Sequence, residues 1–141
     1  MNDKKVSEVH WSFWAIGAVG LIWNVLGAIN FVVQMNPDSL SAYREVEQAL
    51  IVGRPAWATV AFAIAVFGGA LGCVLLLLRK SVAYYFFIAS LLGVIVAMIH
   101  ALGTDIDFGL GEILGIILMP LGVAAFLIWY SKHAKSRAWM T

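Results

Sequence analysis

Four long stretches of this chain contain no lysine, arginine or aspartate: Trp11 to Val33, Ala56 to Leu78, Val82 to Leu102 and Leu110 to Tyr130. Within them the only histidine and the only acid are His100 and Glu112, each close to an end. A helix needs roughly 20 apolar residues to cross about 30 Å of hydrocarbon, and each stretch meets that length. Inside a bilayer every backbone polar group must be satisfied within its own segment, which favours helices. The expected fold is therefore all-α: an integral membrane four-helix up-down bundle, with residues 1–141 as a single domain. Composition agrees. The chain is 62% hydrophobic and 12% charged, against about 25% charged residues in an average soluble domain, and its mean hydropathy is +0.92. A small water-soluble domain has too much surface for its volume to hide that apolar fraction.

The first run follows Lys4 and Lys5, as a signal peptide would. It is too long for such a segment and has no small-x-small cleavage site behind it, so it reads as an uncleaved first span. Orientation follows from the basic residues. Lys4, Lys5, Arg79, Lys80, Lys132, Lys135 and Arg137 fall on one side, and Arg44 and Arg54 on the other. Positive residues accumulate in the cytoplasm, which predicts that both termini lie there. Trp11, Trp14, Tyr84, Tyr85, Trp129 and Tyr130 would mark one interface and Trp57 the other.

Arg79-Lys80-Ser81 is so short a link that the second and third spans are expected to be antiparallel neighbours. The first loop is longer. Asn36 can cap, Pro37 suits a first helical turn, and Gly53 with Pro55 can end the segment. Leu40, Tyr43, Val46 and Leu50 recur between them at helical spacing. A short amphipathic helix over about 37–52, lying on the outer membrane surface or capping the bundle, is the expectation.

Membrane helices associate through close backbone approach and interhelical hydrogen bonds. Small residues recur on every span: Gly17, Gly20, Asn24 and Gly27 on the first, Ala58, Ala61, Ala65, Gly68 and Gly72 on the second. Ser90, Gly93 and Ala97 follow on the third, then Gly111, Gly115 and Gly122 on the fourth. Tight packing is the plainest reading, and a second glycine-rich face would point to self-association. Asn24, near the midplane, reads either as interhelical glue or as a ligand or proton-path contact. Pro120 removes one intrahelical hydrogen bond from the fourth span.

One polar constellation stands out. His100 ends the third span, Glu112 begins the fourth, and the loop between them holds Asp105 and Asp107. Asn30 and Arg54 belong to the same side. Ionisable groups at membrane depth are functional candidates. This group could be structural pairing, a proton or ligand site, or a metal site, although its spacing fits no established metal motif. Cys73, the one cysteine, has no disulfide partner within the chain and reads as a small packing residue.

Enzyme signatures are lacking: no H-E-x-x-H, no G-x-S-x-G and no phosphate-cradling loop. Gly109-Leu110-Gly111-Glu112 has the outline of the G-x-G-D signature of intramembrane aspartyl proteases, with Glu for Asp, but the other spans supply no second carboxylate. With a single histidine inside a span, bis-histidine haem ligation is not expected either. The reading is of a non-enzyme without a cofactor or resident metal. A formal net charge of +1 gives no basic field for nucleic acid. The partners expected are the lipid bilayer and either a second copy of the chain or another membrane protein.

Leu21-Ile-Trp-Asn-Val-Leu-Gly27, the run from Pro55 to Cys73 and the leucine-rich stretch that ends at Arg79-Lys80 resemble a group of small four-span bacterial proteins. Members often carry the label "sugar transporter", without a mechanism or site to carry over. The resemblance covers most of the chain and implies a bacterial inner membrane. Two functions follow as expectations: an accessory or interaction module, or a small oligomeric transporter or channel for protons, ions or a small solute.

Overall fold

The computed structural model describes residues 9–141, so Lys4 and Lys5, which enter the orientation argument, lie outside the described residues. Among those described, every regular element is helical. Helix α1 spans Trp11–Gln34, α2 Glu45–Val52, α3 Ala56–Leu77 and α4 Ala83–Leu102; α5 spans Leu110–Ser136. All but α2 are long and apolar enough to cross a membrane. Their outward faces are apolar too: Val19, Ile22, Leu26, Leu71, Leu92 and Leu118 are all exposed. The chain thus has the make-up of a multi-pass membrane protein, in which lipid solvates what water could not.

The spans differ from the sequence expectation mainly at the last one, which continues past Tyr130 to Ser136. His133 and Lys135 in its final turn are compatible with helix, and cations there suit the negative end of the helix dipole. Helix α5 is also irregular. Residues Ile113–Leu118 form a π-helical turn directly ahead of Pro120, which has no N–H to donate. Widening the turn there accommodates the missing bond.

The segment expected as one helix over 37–52 is broken in two. Pro37–Ala42 is a 3-10 turn, capped by Asn36, whose side chain accepts from Asp38 N. Ser39 Oγ donates to the carbonyls of Val33 and Asn36, which tightens the turn. Tyr43 and Arg44 are then extended, and α2 starts afresh with Glu47 accepting from Arg44 N at 3.4 Å. No residue of either piece is fully buried.

Contacts gather at two ends of the molecule. At one, here the tail end, Phe13, Cys73, Leu76, Phe87, Tyr130 and Trp139 form the core. The chain's last residues strap across the α3–α4 link: Thr141 N donates to Arg79 O (2.8 Å), Ser81 N donates to Thr141 O (3.2 Å), and Arg79 Nε donates to Trp139 O (2.7 Å). These bonds hold Arg79 at φ 63°, a left-handed conformation uncommon for a residue with a side chain. At the opposite end, here the loop end, Arg54 reaches Gln34, Tyr43 reaches Asn30, and Arg44 reaches Glu112.

Helices α3 and α4 pack most extensively, followed by α1 with α3 and α4 with α5, whereas α1 and α5 barely meet. The α3–α4 seam depends on Gly93. A Cβ there would stand 2.6 Å from Ala61 O and 2.8 Å from Ala65 N, so only glycine permits this backbone approach. Ser90 Oγ then donates across the seam to Ala65 O at 2.6 Å. The stripe on α5 behaves otherwise: a Cβ on Gly111, Gly115 or Gly122 would meet nothing within 4 Å. Its buried small residues are Ala124, Ser131 and Ala134 instead.

Candidate binding cavity

Because α1 and α5 approach only near the tail end, where Gly20 and Phe13 face Leu127 and Tyr130, they leave a gap toward the loop end. That gap is a cavity of about 450 Å³ walled by all four long helices and by α2. Its sides are apolar: Phe62 and Val66 from α3, Val94 from α4, Ile117 and Val123 from α5. Polar side chains stand at two levels. Asn24 and Ser90 lie deep, and Gln34, Glu47, Arg54 and His100 lie toward the loop end. Leu127 belongs both to the lining and to the tail-end core, so the cavity ends on a packed floor.

Asn24 is buried and its Nδ2 donates to Gly20 O at 2.8 Å, with Cys73 Sγ 3.8 Å away. Its side chain sits in a notch that exists because residue 69 is glycine; a Cβ there would collide with Asn24 Oδ1. Asn24 is thus wedged between α1 and α3 as well as lining the cavity.

The polar constellation divides into separate pairs. Asn30 accepts from the Tyr43 hydroxyl (2.5 Å). Glu112 accepts from Gly109 N at 2.9 Å, capping α5, and its second oxygen lies 3.2 Å from Arg44. Arg44, a residue missed as a site partner, also pairs with Glu47 at 3.4 Å; its i,i+3 spacing to Glu47 was the signal available in the sequence. His100 packs edge-on against Trp57, with ring centroids 5.8 Å apart, and its Nε2 is buried without a hydrogen-bond partner. Asp105 and Asp107 are exposed and make no hydrogen bond or ion pair among the described residues. No three His, Cys, Asp or Glu side chains among the described residues converge as a metal site requires.

Arg54 is the unusual member. One terminal nitrogen donates to Gln34 Oε1 at 2.8 Å, and the guanidinium lies 5.1 Å from the centroid of Phe62, a cation–π distance. Its Nε is buried without a partner. Burial draws the guanidinium pKa below its usual value, and the nearby Tyr43 phenol opposes that shift. Glu47 and Glu112 both turn to Arg44, and the partners of Arg54 among the described residues, Gln34 and Phe62, are neutral. No protein-family model, curated protein or solved structure matches the chain.

Proposed function

We propose that the chain is a four-span, up-down protein of a bacterial inner membrane with both termini cytoplasmic, acting as an accessory binding module rather than as a conduit. Its first loop, with α2, sits on the outer face over the cavity. The bias of seven basic residues against two supports the orientation, and the contacts of Phe13, Arg79 and Trp139 at one end support the even number of crossings. The resemblance noted above supports the bacterial assignment.

The observation that carries the reading is the closed floor of the cavity. Conduction needs a continuous polar or wet route, and here Leu127, Phe13, Cys73 and Leu76 fill the tail end with apolar atoms. A blind cavity can hold a molecule but not pass it across. Proteoliposomes of the purified chain should show no proton or solute flux above empty vesicles, and the chain should be recovered bound to a small molecule or a larger membrane protein. Flux abolished by Glu112→Gln would overturn this in favour of an oligomeric transporter or channel.

A further inference from the structure

We propose that the cavity is a site for a single-chain amphiphile with an anionic head, of the long-chain carboxylate class, its head against Arg54 and His100 and its tail running down toward Leu127. The proposal rests on the blind-cavity reading and adds the chemistry of the occupant.

The size fits, since small-molecule pockets are commonly about 300–1,000 Å³ and this one is about 450 Å³. The distribution of polar atoms decides the class. Between the loop end and the floor the walls are Phe62, Val66, Val94 and Val123. The two deep polar side chains already spend donors on backbone carbonyls, Asn24 on Gly20 and Ser90 on Ala65. A sugar would leave hydroxyls unsatisfied against such walls, at a cost in binding. A hydrocarbon tail loses nothing there.

At the loop end the unmet demand is for an acceptor. Arg54 Nε carries an N–H that is never deprotonated in ordinary conditions, and it is shut off from water without a partner. Buried donors without acceptors are costly and rare. His100 Nε2, on the same lining, is likewise unpartnered. Glu47, the one acid on the lining, is engaged by Arg44, so Arg54 is a lining cation without a carboxylate partner among the described residues. A carboxylate at this end would give Arg54 the counter-ion that Gln34 and Phe62 do not supply, and acceptors for the buried nitrogens once the side chains turn toward it. The gap between α1 and α5, bordered by exposed Trp23 and Leu26, lets a tail enter sideways.

The test is equilibrium binding of radiolabelled dodecanoate to the full chain in phosphatidylcholine nanodiscs, against empty nanodiscs. Saturable binding of one molecule per chain is expected. Dodecanol, which has the same tail without the charge, should compete at least tenfold less well. Arg54→Gln should weaken dodecanoate binding at least tenfold, Arg54→Lys less, and Ala97→Phe, which fills the cavity, should abolish it. Non-saturable binding, equal competition by dodecanol, or unchanged affinity in Arg54→Gln overturns the proposal. Stoichiometric displacement by phosphatidylglycerol built into the nanodisc overturns the single-chain assignment in favour of a bilayer phospholipid. If dodecanoate fails to bind while proteoliposomes stay impermeable, the amphiphile is wrong and the blind cavity stands; if the vesicles leak through the protein, both fall. Should Ala97→Phe not fold, the Arg54→Gln and dodecanol arms still decide.

Discussion

Single atoms set the closest approaches in this molecule. At Gly93 an added methyl would meet the backbone of α3, which cannot swing aside as a side chain can. Gly93→Ala should therefore destabilise by about 1–3 kcal/mol, the usual cost of overpacking, read as a lower melting temperature in detergent. Gly122→Ala, with open space around it, is the control and should change little. Asn24→Leu removes a buried hydrogen bond worth roughly 0.6 kcal/mol within membranes and overfills the notch at Gly69, so it should cost more than the bond alone. At the opposite end of the chain, Ala138 has φ 60° just past the last turn of α5, a place that glycine usually holds. Ala138→Gly should raise stability by up to about 1 kcal/mol, because a left-handed Cβ costs roughly 1–2 kcal/mol; no gain in thermal unfolding would mean the strap is not closed in solution.

Among elements, the long spans were the most legible, because length without charge is a signal that lipid imposes directly. The expected boundaries of the first three lie within one residue of those found. The fourth outran its apolar stretch, since hydrocarbon thickness limits where lysine can sit but not where a helix can end. The first loop was harder. Its spacing of apolar residues is helical, yet Ser39 bonding back to Val33 and Asn36 and Tyr43 reaching Asn30 break it, and such tertiary bonds leave no periodic trace. The C-terminal strap left no signal either, being a short run whose value lies in what it covers. Trp139 is 8% exposed, so Trp139→Ala should cost roughly 3 kcal/mol, the low end for truncating a buried tryptophan. Unchanged melting would contradict the strap's role. Glu112→Gln keeps an acceptor for Gly109 but gives up the charge facing Arg44. Because the Arg44 side chain is 63% exposed, the loss should stay below about 1 kcal/mol.

At the scale of the whole molecule, the sequence showed which polar residues share an end but not how they pair. Arg44 takes Glu47 and Glu112, while Arg54 and His100 line a cavity. The cavity arises from a gap between first and last helices, a property of packing order that no local pattern encodes. If the proposed topology holds, this cavity opens to the outside and is closed toward the cytoplasm. Accessibility of one position inside it tests that claim directly. With Cys73 replaced by Ala, an Ala97→Cys substitution in intact cells should react with a membrane-impermeant thiosulfonate added outside, and should be protected in inside-out vesicles. Reaction only from the cytoplasmic face, or equally from both, would contradict a blind cavity that opens at the Arg54 end.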